Sequence, residues 1–115
     1  MILVTGGSGF IGSSVVDLLL TQTSEKIIIL DRSINSWTYD LVAKNRDRIT
    51  AILCDIMNDC DRETWIKYLD SSNEKLSTIV HLAGLISVPE SVQHPMKYYN
   101  ANVNGMLYIV DLAIS

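Results

Sequence analysis

The fold of this chain is decided by its first residues, Ile2–Gly12, which read ILVTGGSGFIG. The apolar run ILVT has the length and composition of a buried strand, and the glycines after it permit a tight turn. Apolar side chains then recur at helical spacing, at positions 11, 15, 18 and 19. We therefore predict a strand at Met1–Thr5, a glycine-rich turn, and a helix from about Phe10 to Leu20.

The rest of the chain alternates between strand patterns and helix patterns in the same way. Further strands are predicted at Lys26–Asp31, Ile49–Cys54 and Ser77–Ala83. Helices are predicted near Tyr39–Lys44, at Asp61–Leu69 and from about Pro95 or Met96 to Ala113, with a loop from Ala83 through Pro89. This alternation is typical of an α/β fold, in which helices cover both faces of a parallel sheet.

Composition narrows the class of protein. At 115 residues and 48% apolar content, the chain is long enough for one globular domain. Its net charge of −4, with scattered positive residues and no targeting signal, gives no indication of nucleic-acid or membrane binding. Cys54 and Cys60 form neither a C-x-x-C nor a Cys/His zinc pattern. We therefore expect no metal site, and interpret both cysteines as reduced structural thiols of a cytoplasmic protein.

Three glycines in the first turn, Gly7, Gly9 and Gly12, match the spacing G-x-G-x-x-G. The first permits the tight turn, the second lets the backbone approach a pyrophosphate, and the third allows close packing of helix on strand. The helix N-terminus then offers free N–H groups and a positive dipole end to phosphates. Because the motif follows a predicted strand and opens a predicted helix, a dinucleotide-binding turn is favoured over a glycine-rich turn without a ligand.

Carboxylates at the ends of two other strands could complete such a site. Asp31 follows Gly12 by about 20 residues, the usual position of a carboxylate that accepts hydrogen bonds from an adenosine ribose. Its charge favours NAD over NADP, although the neighbouring Arg32 could accommodate a 2′-phosphate. Asp55 and Ile56 could hold an adenine. The Asp55 carboxylate would accept from the adenine amino group and Ile56 would pack on the face of the ring. Spacing alone does not decide whether they do so.

The fourth predicted strand ends in small residues. Leu82, Ala83 and Gly84 would allow the backbone to lie against a cofactor, because ligands of open α/β sheets bind beyond the carboxyl ends of the strands. His81 lies in an apolar strand, so we interpret it as a packed, hydrogen-bonded histidine and not as a catalytic group.

Together these motifs resemble the extended short-chain dehydrogenase/reductase family and, among its branches, the UDP-glucose 4-epimerases. The resemblance covers essentially the whole chain. It is carried by the glycine motif, by Leu30-Asp31 and Cys54-Asp55-Ile56, and most specifically by the block His81–Gly105, which contains HLAGLISVPESVQHP and YYNANVNG. It implies a partial Rossmann-like, doubly wound parallel sheet with the strand order 3-2-1-4 and flanking helices.

The resemblance also implies a tightly held NAD and an isomerase of galactose metabolism. In such enzymes NAD oxidises the sugar C4 hydroxyl to a ketone, and the hydride returns to the opposite face, which interconverts UDP-glucose and UDP-galactose. The residues implied for the pyrophosphate are Gly6, Gly9, Phe10, Ile11 and Gly12. Those implied for the rest of the cofactor are Asp31 for the ribose, Asp55 and Ile56 for the adenine, and Leu82, Ala83 and Gly84 beside the nicotinamide half. Asn102 would anchor the start of the last helix near the cofactor.

The chain departs from the epimerase pattern in what it lacks. Epimerases commonly have a lysine at the position of Ile86 and an asparagine at that of Ala101, and each replacement removes a polar contact to the cofactor.

No tyrosine here is followed by a lysine four residues on, so the chain contains no candidate catalytic residue. We expect residues 1–115 to be the N-terminal portion of the NAD-binding domain, inactive alone. A UDP-sugar would bind only if the missing Tyr-x-x-x-Lys segment and substrate domain were supplied.

Two other interpretations stay open. One is a fragment of an NAD-dependent nucleotide-sugar dehydratase, reductase or decarboxylase, and the other is a non-catalytic dinucleotide-binding or interaction module. In every case the fourth strand would form an open edge and the last helix would lack packing neighbours. We therefore expect an apolar surface able to pair with a second copy, as a homodimer, or with a complementing chain.

Overall fold

The computed structural model describes all of residues 1–115. Its strands are β1 (Ile2–Thr5), β2 (Ile27–Asp31), β3 (Ile49–Leu53) and β4 (Thr78–His81). Its helices are α1 (Phe10–Gln22), α2 (Ser36–Lys44), α3 (Asp59–Ser71), α4 (Val88–Gln93), α5 (Pro95–Tyr99) and α6 (Gly105–Ile114), with a π-helical turn at Asn100–Asn104 between the last two. No helix is both long enough and apolar enough to cross a bilayer.

The four strands form one parallel sheet in the order β3-β2-β1-β4. Leu3 of β1 is paired with Ile28 of β2 on one side and with Ile79 of β4 on the other. The order confirms the predicted 3-2-1-4 arrangement and the α/β class. Because all strands run in the same direction, their carboxyl ends meet at a single edge of the sheet.

Each face of the sheet has its own core, which is why β1 and β2 are apolar at consecutive positions. On one face Leu3 and Ile28 pack with Trp65 of α3 and Ile109 of α6. On the other face the core consists of Ile2, Val4, Val16, Ile27, Ile29 and Ile49. Helices therefore cover both faces, as in a doubly wound sheet.

Two helices begin earlier than the sequence pattern predicts, because an asparagine caps each of them. The side chain of Asn35 accepts a hydrogen bond from the Thr38 N–H at the start of α2. Asn58 accepts one from the Asp61 N–H at the start of α3. Asparagine is a favoured N-cap residue because it satisfies an N–H that has no partner within the helix.

The region after β4 differs from the prediction in two ways. The strand ends at His81 and not at Ala83. The Leu82 N–H still donates to the Thr5 carbonyl at 3.0 Å and also to the Thr5 hydroxyl, whereas the Ala83 N–H donates to that hydroxyl. The loop predicted through Pro89 is wrong at its end, because α4 begins at Val88. The Ser87 side chain accepts from the Glu90 N–H, and this Ser-x-x-Glu pattern is a helix-start signal present in the sequence.

The last helix was predicted as one element and is built from three consecutive ones. Helix α5 passes into the π-helical turn Asn100–Asn104 and then into α6. A π-helical turn adds one residue to a helical turn and changes which side chains face the sheet. No local sequence signal of this turn was recognised.

The C-terminus of α1 is held by an arginine from a distant part of the chain. The guanidinium of Arg48, just before β3, donates to the carbonyl of Thr23 at 2.8 Å and to that of Glu25 at 3.1 Å. A third contact reaches the carbonyl of Leu20 at 3.5 Å. The last turn of α1 has no basic residue of its own, so Arg48 supplies the positive charge favoured there.

We predict that Arg48→Ala lowers the free energy of unfolding by about 1.5–3 kcal/mol, since it leaves helix-end carbonyls without a charged donor. Arg46→Ala is the matched control, because Arg46 is exposed and forms no ion pair; its effect should stay within about 0.5 kcal/mol. Urea denaturation followed by circular dichroism measures both. Equal losses in the two variants would contradict this role of Arg48.

Candidate functional site

A cavity of about 630 Å³ lies at the edge of the sheet where the four strands end. Its lining comes from the turn after β1, the ends of β2 and β3, the loop after β4, and the helical segment 97–101. Among the predicted site residues, those that line it are Gly6, Gly9, Phe10, Ile11, Gly12, Asp31, Asp55, Ile56, Leu82, Ala83 and Gly84. Asn102 is the one predicted site residue outside the lining.

The turn after β1 can be formed only without side chains at two positions. Gly6 has φ +71°, and a Cβ there would lie 2.8 Å from the backbone nitrogen of Ala83. A Cβ on Gly12 would overlap the carbonyl oxygen of Gly6. The backbone of helix α1 and that of the segment after β4 therefore both pack directly against this turn, with no side chain between them.

The N-terminus of α1 points its free N–H groups toward the cavity. Gly9 is the N-cap residue and makes no side-chain cap, and the first turn of α1 contains no acidic residue. Phe10 and Ile11 at this end are 95% and 63% exposed. An uncapped helix end without a negative neighbour retains its attraction for an anion such as a phosphate.

Ser8, the residue between the glycines, locks the turn to the following elements. Its N–H donates to Asp31 Oδ2 at 3.0 Å. Its carbonyl accepts from the Asn35 side-chain amide at 2.8 Å, and its hydroxyl shares a hydrogen bond with that of Thr38. Asn35 and Thr38 were not singled out in the sequence, because their role depends on α2 starting beside the turn.

Asp31 is placed at the cavity with both carboxylate oxygens engaged. Besides the Ser8 bond, Oδ1 accepts from the Ser33 N–H at 3.1 Å. Each carboxylate oxygen has two acceptor positions, so each keeps one for a ligand hydroxyl. Arg32 also lines the cavity and takes part in no ion pair.

The segment after β3 is fastened by its own side chains. The Asp55 N–H donates to Asp61 Oδ2 at 2.8 Å, and Asp55 Oδ1 accepts from the Met57 N–H at 2.9 Å. Ile56 is buried at the cavity wall, at 8% exposure. This arrangement presents a carboxylate and an aliphatic side chain side by side at the cavity.

Cys54 lines the cavity too, although it is not among the predicted site residues. Burial, with the neighbouring carboxylates of Asp61, Asp55 and Asp31, raises the pKa of its thiol to about 12. The thiol therefore stays protonated at neutral pH and is a poor nucleophile. Both cysteines are free, with Cys54 buried and Cys60 exposed.

The hydroxyl of Thr5 joins β1 to the end of β4. Its oxygen accepts from the N–H groups of Leu82 and Ala83, at 3.1 and 3.2 Å. The same hydroxyl forms a hydrogen bond with Nδ1 of His81, 2.6 Å away. His81 is therefore a packed, hydrogen-bonded residue, as predicted, and burial lowers its pKa.

Asn102 forms hydrogen bonds with the loop that follows β4. Its side-chain oxygen accepts from the Leu85 N–H at 2.8 Å, and its amide donates to the Leu85 carbonyl at 3.0 Å. The Tyr98 hydroxyl accepts from the Ser87 N–H at 3.1 Å. The loop is thus attached at two points to the helical segment 95–104.

Several cavity residues were not predicted as site residues. Lys97 and Asn100 reach the cavity because α5 and the π-helical turn lie along its side. The others are Leu30, Arg32, Cys54, Met57, Leu85, Ile86 and Ala101. Helical periodicity alone does not show which side chains of α5 face a ligand.

The strand order, the glycine turn and the cavity at the strand ends define a Rossmann-like domain of the open α/β class. The sequence pattern of the family described as GDP-mannose 4,6 dehydratase matches residues 3–115. The chain therefore belongs to this family of extended short-chain dehydrogenases/reductases, which confirms the resemblance found in the sequence.

Comparison with individual proteins identifies epimerases and a dehydratase as relatives. A UDP-glucose 4-epimerase from Yersinia enterocolitica is 37% identical over 114 residues, 96% of this chain and 32% of that protein. The UDP-Glc/GlcNAc 4-epimerase structure from Campylobacter jejuni has a TM-score of 0.79 at 28% identity, covering 98% of this chain and 33% of that one. A third relative is DesIV from Streptomyces venezuelae, a dTDP-glucose 4,6-dehydratase solved as a double mutant with NAD and DAU bound. Its TM-score is 0.78 at 26% identity, and the match covers 99% of this chain and 35% of that one. The chain thus spans about a third of the length of these relatives.

We predict that Gly12→Ala lowers the free energy of unfolding by about 2–3 kcal/mol, because the added methyl group must push α1 away from the glycine turn. Ser14→Ala is the control on the same helix, at an exposed position, and should leave stability nearly unchanged. Urea denaturation compares the two. A Gly12→Ala variant as stable as the control would show that the backbone contact is not needed.

A second prediction concerns pH. The folded chain lowers the pKa of His81, so below the ordinary histidine pKa of about 6.5 the unfolded state binds more protons. This contribution makes stability fall as pH drops from 7.5 toward 5.5. In His81→Asn that part of the fall should disappear, whereas His94→Asn, at an exposed position, should keep it. Unfolding midpoints measured across this pH range test the difference, and identical profiles for the two variants would refute it.

Proposed function

We propose that this chain forms the NAD-binding part of a UDP-glucose 4-epimerase-like enzyme, which interconverts UDP-glucose and UDP-galactose through a 4-keto intermediate. The observation that carries the proposal is the meeting of the glycine turn, Asp31 and Asp55 in one cavity of about 630 Å³. That volume is within the usual range for small-molecule and cofactor sites. The relatives that are epimerases support the choice of reaction.

The residues of the cavity fit a dinucleotide. The turn leaves out side chains at Gly6 and Gly12, where a Cβ would collide with backbone, and an uncapped helix end without acidic residues faces the cavity. The N–H groups at Gly9–Gly12 would hold the pyrophosphate and Asp31 the adenosine ribose, as in other dinucleotide folds. Asp55 and Ile56 would hold the adenine.

The other end of the cavity would receive the nicotinamide half. Leu82, Ala83 and Gly84 line this side, and Asn102 fixes the loop through Leu85. When bound, NAD would accept a hydride from the sugar carbon that carries the hydroxyl, while that hydroxyl loses its proton to a base. The chain's own residues would bind and orient the cofactor, while no tyrosine here has a lysine four residues on to act as the acid/base pair.

Sugar binding and turnover would then depend on segments equivalent to the remaining two-thirds of the relatives. Edge strand β4 and exposed apolar side chains such as Met96, Leu107 and Ile114 would be covered by such a segment or by a second copy. The chain alone is proposed to bind NAD without catalysing epimerisation.

A dehydratase is the second candidate. The family pattern carries the name of GDP-mannose 4,6 dehydratase, and DesIV is as similar in structure as the epimerase, with TM-scores of 0.78 and 0.79. Both reactions begin with oxidation at the sugar C4, so the NAD-binding residues proposed above serve either. A non-catalytic dinucleotide-binding module would use the same residues without a sugar.

A thermal melt of the chain with and without NAD tests the proposal. The midpoint should rise as NAD is added, because a ligand that binds only the folded state stabilises it. Asp31→Asn should weaken NAD binding by about 10–100-fold through loss of a charged acceptor. Asp40→Asn, exposed on α2, is the control and should bind normally. A midpoint unaffected by millimolar NAD would refute the proposed function.

A further inference from the structure

Arg62 of α3 lies outside the cavity but contacts the segment that forms one of its walls. It is not among the lining residues, and its side chain is only 18% exposed. One guanidinium nitrogen donates to the carbonyl of Ile56 at 3.4 Å, and another pairs with Asp59 on the same helix. Because Asp59 is 83% exposed, that ion pair contributes little. The bond to Ile56 is therefore the contact that concerns the site.

The carbonyl that Arg62 holds belongs to the peptide group between Ile56 and Met57. The N–H of the same peptide group donates to Asp55 Oδ1 at 2.9 Å. All peptide groups of the chain are trans, and a trans peptide group is planar, with its C=O and N–H pointing in opposite directions. Fixing the carbonyl therefore also fixes the N–H, and with it the orientation of the Asp55 carboxylate at the cavity.

An aromatic ring of α6 keeps the guanidinium of Arg62 in this place. Its central carbon lies 3.8 Å from the centroid of the Tyr108 ring, which is a cation–π contact. A guanidinium that stacks on a ring in this way keeps its in-plane N–H groups available for hydrogen bonds. The ring therefore restricts the movement of Arg62 without competing for its bond to Ile56.

Helices α3 and α6 both contact the segment 55–57 directly as well. Asp61 of α3 accepts from the Asp55 N–H at 2.8 Å. On α6, a Cβ at Gly105 would lie 3.2 Å from Ile56 Cδ1 and 3.5 Å from Met57 Sδ, so the helix backbone lies close to these side chains. The segment is thus held between the two helices.

From these contacts we propose that Arg62 is a positioning residue of the binding site, which orients the Asp55 carboxylate through the peptide group it holds, and that Tyr108 keeps Arg62 in place. The inference rests on the proposed function and gives a part in ligand binding to two residues outside the cavity. Helix α6 then contributes to the site although none of its residues lines the cavity.

Isothermal titration of the 115-residue chain and its variants with NAD⁺ tests the proposal. Arg62→Met keeps the length of the side chain but removes its charge and its donors, and should weaken NAD⁺ binding by about fivefold. Tyr108→Leu should weaken it by about threefold, because the ring face is lost. Tyr108→Phe keeps the ring and should bind NAD⁺ as the original chain does.

Arg48→Ala is the control for a loss of stability alone. It is expected to destabilise the fold, but Arg48 lies at the opposite edge of the sheet, away from the cavity. Its affinity for NAD⁺ should equal that of the original chain at a temperature where both are folded. In ¹⁵N NMR spectra without ligand, the amide signals of Ile56 and Met57 should move in Arg62→Met and stay in place in Arg48→Ala.

Unchanged affinity in Arg62→Met, or an equal loss in Arg48→Ala, would overturn this inference and leave the proposed function intact. If Arg62→Met does not fold, the two Tyr108 variants decide, and equal affinities of Tyr108→Leu and Tyr108→Phe would overturn the inference. If the original chain does not bind NAD⁺, the proposed function fails and this inference fails with it.

Discussion

The structure depends on backbone contacts at the turn between β1 and α1. Gly6 lies in the left-handed region, with its α-carbon against the backbone of Ala83, and Gly12 lies directly over the carbonyl of Gly6. These contacts bring the start of α1 and the end of β4 to the same point at the sheet edge. A side chain at either position would separate them, and the cavity between the strand ends would lose its shape.

Hydrogen bonds to two hydroxyl residues extend this arrangement across the sheet. Ser8 connects the turn to Asp31 and to the start of α2 through Asn35. Thr5 connects β1 to His81 and to the N–H groups that follow β4. These hydrogen bonds connect the glycine turn, the end of β2 and the loop after β4, which all line the cavity. The charged residues Asp31, Arg32 and Asp55 line the cavity where β2 and β3 end.

The strong local patterns of β1, β2 and the glycine motif predicted an α/β sheet, and the family resemblance implied its strand order and most of the cavity lining. The prediction from sequence missed α4, although Ser87 and Glu90 carry a helix-start signal. It missed Lys97 and Asn100 as cavity residues for a different reason. They reach the cavity because α5 and the π-helical turn after it lie along its side, and that turn has no local signal that we recognised. The hydrogen bonds of Asn35 and Thr38 to Ser8 also could not be predicted, because they depend on tertiary structure.

An NMR titration of the ¹⁵N-labelled chain with NAD⁺ would show whether the carboxyl edge of the sheet is a dinucleotide site. Amide shifts should concentrate at residues 6–12, 31–32, 55–57 and 82–85, which surround the cavity. Little change is expected at the opposite edge, around Lys26 and Arg46–Arg48. If no shifts appear at millimolar NAD⁺, or if they are confined to that opposite edge, the cavity is not a dinucleotide site.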